Sequence, residues 1–418
     1  MQLAHKKEIR TLFVTIMSYP LRGGTHLRNW QNIKIMCRFG EVGIFSVFNQ
    51  DLQIPEDVAI DTWHHFNMDR ESGLSDLTER GVRLLGRCGL RYFWAYSSRA
   101  ARVLDGVIKS FRPDLIVLEE LGTYPFLKVA KAHSCPVIFD DHNVEAHLFQ
   151  QIHHAKAGQL HRLLGKFHLS QIRSAEAKLV RQAVQTWVCS EDDRQLTAQL
   201  YGSGHSVQVI PNAIDVEAYS EVRAGHYHLP EGLDDSPSNL LFLGNFYHPP
   251  NQEAADLLIT EVYPRLRQLA AGCRLLLVGS NPTPAMLAAA RQEPDIIVTG
   301  EVPDVKPYLA AAGAMLVPLL KGGGTRFKIL EAFAAGCPVI STTKGAEGLH
   351  AEDNKHLLIA DDAAAMVKCV KRIWEEEGLA GLLTESASIL VRSSFSWDAA
   401  AGRVEQALAH IDYKRNVG

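Results

Sequence analysis

No run of apolar residues in the 418-residue chain reaches the roughly 18 needed to cross a bilayer as a helix. Cysteine is sparse. The seven residues, at positions 37, 88, 135, 189, 273, 337 and 369, are odd in number and form no Cys-x-x-Cys pair, which argues against a disulfide framework and a structural zinc site and for a reducing compartment. No excess of charge of either sign exists. Charged residues make up 22% and the net charge is −4, so nothing electrostatic speaks for a nucleic-acid partner. The first ten residues carry charge but lack the apolar segment of a secretion signal, and the expected location is cytoplasmic. A dinucleotide fingerprint is also missing. No Gly-x-Gly-x-x-Gly follows the first strand pattern and no acidic ribose reader ends the second, which counts against a nicotinamide-dependent dehydrogenase. No residue pattern implies a metal, and no cofactor is expected.

What the chain does contain is short apolar runs alternating with helical patterns, the mark of parallel sheets covered by helices. Strands are predicted at 11–17, 41–48, 114–118, 136–140, 186–189 and 207–210, and again at 239–243, 274–278, 295–298, 314–318, 338–341 and 356–359. Helices are predicted at 253–269, 285–291, 326–335 and about 397–411. At this length one core is not enough, and the expectation is two doubly wound, Rossmann-like α/β domains facing a central cleft. The boundaries read as 1–212, 213–395 and a final helical segment, 396–418.

The densest chemistry lies in Gly322-Gly323-Gly324-Thr325-Arg326-Phe327-Lys328-Ile329-Leu330-Glu331, followed by Gly336-Cys337-Pro338-Val339-Ile340. It reads as a glycine loop, a helix capped by Thr325, a sharp stop and a strand. Exposed backbone N–H groups, the helix dipole, Arg326 and Lys328 together describe an anion site, suited to phosphate. Glu331, beside the apolar positions Phe327, Leu330 and Ala334, presents a carboxylate nearby, and a ribose would fit between the two. The plainer alternative is a solvated helix start in which Lys328 pairs with Glu331 at i+3.

These segments resemble the donor-site signature of retaining GT-B glycosyltransferases, the group often called family 4. Other likenesses follow in the family's order. Pro20-Leu21-Arg22-Gly23-Gly24 is similar to its acceptor-side glycine loop, Asp141-His142-Asn143-Val144-Glu145 to its histidine loop, Pro211-Asn212-Ala213-Ile214-Asp215 to its interdomain hinge, and Gly244-Asn245-Phe246-Tyr247-His248-Pro249-Pro250-Asn251 to the first loop of its donor domain. The resemblance implies a nucleoside-diphosphate sugar as donor, UDP- or GDP-linked, and a glycan, lipid-linked or small-molecule acceptor. It assigns the diphosphate to Arg326 and Lys328, the ribose to Glu331, backbone contacts to Gly244 and Val302, and a donor-sugar or acceptor contact to His142; where the family pattern is not kept, the backbone N–H groups of Gly323, Gly324 and Thr325 are expected to contact the sugar or diphosphate instead. Gly23 and Gly24 fall on the acceptor side, with a plain turn before a Thr25-capped helix as the alternative. The last helix crosses back to the first domain in the family.

Two departures stand out. Relatives commonly carry a second glutamate eight positions before the ribose carboxylate, where this chain has Gly323, and a basic pair after Gly244, where it has His248 and Asn251. Asn251 reads most simply as a helix cap, and Asp141 as either an orienter of His142 or a cap for a helix beginning near Val144. The departures keep open a degenerate nucleotide-sugar-binding protein without turnover, beside a nucleotide-sugar epimerase or phosphorylase of similar architecture. Between 146 and 185, Lys156, Arg162, Lys166, Arg173, Lys178 and Arg181 face only Glu176 in charge. Peripheral contact with an anionic membrane is one reading and a solvated helix face the other. Tyr92, Phe93, Trp94 and Tyr96 read as helix core or as part of an acceptor groove.

Overall fold

The computed structural model describes residues 9–16, 24–48, 60–71, 97–153 and 159–412. The chain divides into two compact units, one formed by residues 1–212 together with 400–418 and the other by 213–399.

The first unit is built on a parallel sheet of β1 (Thr11–Thr15), β2 (Val42–Phe48), β3 (Thr62–Asn67), β4 (Leu115–Glu119), β5 (Val137–Asp141), β6 (Gln185–Val188) and β7 (Val207–Val209), in the spatial order β3-β2-β1-β4-β5-β6-β7. Every residue of β1, β4 and β5 is buried, as expected for strands covered on both faces. The period of two sends Leu12, Val14, Ile116, Leu118, Val137 and Phe139 into one core, shared with Leu104, Val107 and Phe111 of helix Ser98–Phe111 and Ile172 and Leu179 of helix Gln159–Gln182. Thr15 belongs to the alternate set, and its hydroxyl accepts from Asn29 of helix Gly24–Met36 at 2.7 Å. Helix Trp397–Leu408 reaches this unit, where Gln185 Nε2 donates to the Ala407 carbonyl at 2.7 Å. Strand β3 was not expected. Its sequence, Thr-Trp-His-His-Phe-Asn, lies at the sheet edge with only Phe66 and Asn67 buried, so a central strand's apolar run is absent.

The second unit carries β8 (Ser236–Leu243), β9 (Arg274–Val278), β10 (Ile296–Gly300), β11 (Ala312–Val317), β12 (Val339–Ser341) and β13 (Leu358–Ile359), again all parallel, in the order β10-β9-β8-β11-β12-β13. Each strand coincides with a predicted apolar run. The helix predicted over 253–269 instead begins at Pro249 and passes through a π-turn, Leu258–Val262, just before Tyr263 and Pro264; proline has no N–H to continue the α ladder. In both sheets the strand order reverses direction at the centre, between β1 and β4 and between β8 and β11, which is where open α/β sheets bind ligands beyond the strands' carboxyl ends.

Backbone packing fixes the loop at the second reversal. Gly279, with φ 142°, lies so close to the Gly244 carbonyl that an added Cβ would sit 1.9 Å from that oxygen. The Gly244 N–H in turn donates to Val278 at 3.0 Å, so the loops after β8 and β9 are held together at their roots.

Candidate active site

In the second unit, β11 runs into the glycine loop and then helix Phe327–Ala335. Phe327, Ile329, Leu330 and Phe333 are buried, and this apolar face seats the helix. Gly336, at φ 78°, ends it ahead of Pro338, as the sequence predicts. Its start differs from expectation. Arg326, not Thr325, occupies the N-cap position, and no side chain caps it there; Gly324 at φ 67° turns the chain one residue later, and Thr325 is buried. The N-cap position thus falls one residue beyond the Thr325 that the sequence suggests.

Arg326 folds back over the loop, its Nη1 donating to the Gly323 carbonyl. A Cβ on Gly322 would come within 2.9 Å of Nη2, so that glycine makes room for the guanidinium. Lys328 is held differently. Its Nζ donates to Asn251 Oδ1 at 3.1 Å and lies 4.3 Å from the centroid of the Phe242 ring. Burial, with the Arg326 charge adding to it, pushes the Lys328 amine down to about 7, against the pull of Glu331. Glu331 accepts from the Tyr219 hydroxyl at 2.9 Å. Burial pushes its carboxyl up to about 7, although the Tyr219 bond and Lys328 act the other way.

Asn251 is not the helix cap it was expected to be. Helix Pro249–Leu257 starts after His248, and Asn251 sits inside its first turn, donating through Nδ2 to the Asn245 carbonyl at 2.8 Å while Oδ1 receives Lys328. Its amide packs on Gly244, where an added Cβ would lie 3.2 Å from Asn251 Cγ. Gly244 is thus tied to Lys328 through one side chain. Val302 is half-buried in the turn after β10, beside Asp304, which accepts from Tyr227 and from the Lys306 N–H.

The first unit holds a separate polar cluster at the end of β5. Arg28, 1% exposed, places Nε and Nη2 on the two oxygens of Asp140 at 3.0 and 2.6 Å, and its Nη1 reaches the Ile210 carbonyl at 2.8 Å and Asn212 Oδ1 at 3.0 Å. Asn32 adds a bond to Asp140 at 2.9 Å. His142 Nε2 stands 3.0 Å from Asp140 Oδ2. Burial alone would raise the Asp140 carboxyl, but Arg28 and His142 outweigh it and hold the group below its ordinary value. Burial, with Arg28 adding to it, lowers His142 below the ordinary imidazole value despite Asp140, which leaves a neutral ring at pH 7. The carboxylate beside the His142 ring nitrogen is therefore that of Asp140, not of Asp141. Asp141 is buried with no hydrogen bond to either oxygen among the described residues, and burial together with Glu176 and Glu145 raises it well above the carboxylate range. Nor does Asp141 cap helix Glu145–His153. Glu176 takes that role from helix Gln159–Gln182, accepting from the N–H of Glu145 at 2.7 Å and of Ala146 at 3.3 Å.

Gly24 opens helix Gly24–Met36, with Thr25 inside it rather than capping it; Gly23, the rest of the loop from Pro20, and Tyr92, Phe93, Trp94 and Tyr96 lie outside the described residues. Of the basic stretch, Lys166, Arg173, Lys178 and Arg181 are exposed, while Lys156 and the Arg162 side chain fall outside the description. Among the described residues no helix is long and apolar enough to cross a membrane, and no three His, Cys, Asp or Glu side chains are grouped to hold a metal ion. Sequence reasoning missed Arg28, Asp140 and Tyr219 as site residues. A separation of 112 positions divides both Arg28 from Asp140 and Tyr219 from Glu331, and neither pairing leaves a local signal.

Two Rossmann-like units, each with its polar groups at the carboxyl ends of a parallel sheet, define the GT-B class. Residues 58–213 match the glycosyl transferase 4-like domain and residues 237–376 the glycosyl transferases group 1 domain, together more than two thirds of the chain, and the protein belongs to the GT-B glycosyltransferases. Solved structures share the fold. Anabaena HepE, crystallised with UDP and glucose, is 14% identical with a TM-score of 0.68, covering 97% of this chain and 100% of its own. Sucrose-phosphate synthase from Thermosynechococcus elongatus is 16% identical at 0.68, covering 96% and 98%. WaaG, a glycosyltransferase involved in lipopolysaccharide biosynthesis, is 14% identical at 0.63, covering 93% and 98%. A search of curated protein sequences finds no match.

The Arg28–Asp140 pair gives a direct stability test. Asp140→Ala would leave a guanidinium buried without its bidentate partner, at a cost of about 3–5 kcal/mol. Thermal unfolding should show the first unit melting several degrees earlier, and an unchanged transition would mean that the pair contributes little to the fold.

Proposed function

We propose that the protein is a retaining glycosyltransferase that moves a sugar from a nucleoside-diphosphate sugar to a glycan, lipid-linked or small-molecule acceptor. The observation that carries this reading is the convergence, within one loop and helix start, of Arg326, Lys328 and a helix N-terminus, with the Glu331 carboxylate further along the same helix. Cationic groups and a helix dipole suit the diphosphate, and the carboxylate suits a ribose diol. HepE, of the same fold, has been crystallised with UDP and with UDP-glucose, which favours a uridine nucleotide over a guanosine one.

In this mechanism the developing charge on the leaving diphosphate is stabilised by Arg326 and Lys328, and neither a metal ion nor a cofactor is required. Such electrostatic stabilisation is usually the largest single term in group transfer. The diphosphate takes up the proton of the acceptor hydroxyl as the new bond forms on the face that it leaves, so the configuration of the sugar is kept. Glu331 anchors the ribose, and the backbone of Gly244, Gly323, Gly324, Thr325 and Val302 lines the donor. The neutral imidazole of His142 serves as a hydrogen-bonding group for the reacting sugars, with Gly23 and Gly24 on the acceptor side. For a lipid-linked acceptor, the exposed Lys166, Arg173, Lys178 and Arg181 would attract anionic headgroups. One observation favours a second reading, a binder without turnover: Gly323 brings no carboxylate to the donor sugar.

The test is Arg326→Ala, assayed for sugar release or transfer from UDP- and GDP-sugars. Turnover should fall by about 100-fold or more with unfolding unchanged; a fully active variant would refute the assignment, and nucleotide binding without turnover in the wild type would favour the second reading. Lys328 makes the binding step pH-dependent. Its amine is depressed to about 7, so the cation is present below that value and lost above it, after phosphate itself has ionised near pH 6. Calorimetry should show UDP affinity falling roughly tenfold between pH 7 and 8.5. Lys328→Gln should bind weakly at both values with no such slope, and a slope that survives the substitution would assign the titration elsewhere.

A further inference from the structure

Tyr219 has no part in the reading above, yet its hydroxyl is hydrogen-bonded to the Glu331 carboxylate. It lies in the short 3-10 turn Glu217–Tyr219, far from the glycine loop in sequence, and is 8% exposed. Its hydroxyl donates to Glu331 Oε1 at 2.9 Å, and the ammonium of Lys306 sits 5.9 Å from the centroid of its ring. Lys306 is in turn paired with Asp304 at 3.5 Å, and Asp304 accepts from Tyr227. The phenol is thus packed and fixed in direction, and no rotation of its stiff ring is needed to reach the carboxylate.

The consequence concerns how many hydroxyls Glu331 can take. A carboxylate has two oxygens and about four lone-pair sites, and on its own it turns to suit whatever donor approaches. With Oε1 held by Tyr219, the plane of the carboxylate is set and Oε2 is presented in one direction. We infer that Tyr219 is a positioning and specificity-determining residue: by fixing Glu331 it makes the donor pocket demand a vicinal ribose diol, so that ribonucleoside diphosphates are selected over their deoxy counterparts. The inference rests on the donor-site reading above. It adds that discrimination comes from the pair and not from Glu331 alone. Fixing one oxygen lowers the ordering needed when the diol binds, and a site built to hydrogen-bond a hydroxyl rejects the analogue that lacks it far more strongly than an adaptable one does.

The experiment is isothermal titration of the full chain with UDP and GDP and with the 2′,3′-dideoxy form of each. For whichever base binds, the wild type should prefer the ribonucleotide by tenfold or more, the size of effect expected for losing two buried hydrogen bonds. Tyr219→Phe keeps the packed ring and removes only the hydroxyl. It should weaken the ribonucleotide while leaving the dideoxy form within about twofold, so that the preference drops to roughly threefold or less. Glu331→Gln should lower the preference likewise, and combining it with Tyr219→Phe should change nothing further, because the two act as one unit. A purely structural role for Tyr219 would weaken both ligands equally and leave their ratio unmoved, which would overturn the inference while leaving the donor site standing. Wild-type protein that binds neither UDP nor GDP would overturn the donor-site reading and this inference with it.

Discussion

Two cations two residues apart at the start of one helix repel each other, and the second unit is arranged around that repulsion. The dipole of helix Phe327–Ala335 adds further positive potential at the same end. Burial, with the neighbouring guanidinium adding to it, takes the Lys328 amine down to about 7. Such an arrangement is unfavourable in an isolated protein unless something offsets it. Part of the offset is internal: the Asn251 carbonyl oxygen, the face of Phe242 and the Gly323 carbonyl each receive one of the cations. In the proposed function, a bound diphosphate would add to that offset.

The supporting parts explain why the departures from the family pattern need not weaken this. His248 and Asn251 stand where relatives carry a basic pair, but Asn251 works on Lys328 from that position and links it to the Gly244 loop. The loop after β8 thus braces Lys328 through Asn251. The first unit follows a different logic. There the buried guanidinium of Arg28 is fully partnered by Asp140, Ile210 and Asn212, and the outcome is a neutral histidine with a defined neighbour on Nε2. In the proposed function, a neutral ring would suit hydrogen bonding to sugar hydroxyls.

Much of this was legible in the sequence, and the reasons are local. The central strands of the second unit announce themselves because a parallel strand buried on both faces is a continuous apolar run, whereas β3 escaped notice as a half-polar edge. The glycine loop, Arg326, Lys328 and Glu331 lie within ten residues of one another, so their shared chemistry could be read directly. Capping assignments fared worse. Thr325, Asn251 and Asp141 all have the side chains that caps favour, yet none caps the helix assigned to it: a glycine shifted one start, another began three residues earlier, and Glu176 reached the third from a distant helix. Long-range pairs such as Arg28 with Asp140 and Tyr219 with Glu331 were not legible at all, because contact across 112 residues is decided by the topology of the sheets and not by any neighbouring sequence.

The central claim is that the positive potential at the start of helix Phe327–Ala335 exists to hold a pyrophosphate. Crystals soaked with UDP, and separately with GDP, test it most directly. The account predicts density for both phosphates against the Gly322–Arg326 loop and the Lys328 ammonium, with a ribose hydroxyl on Glu331. A nucleotide bound elsewhere, or that loop found blocked by its own side chains at saturating ligand, would contradict it.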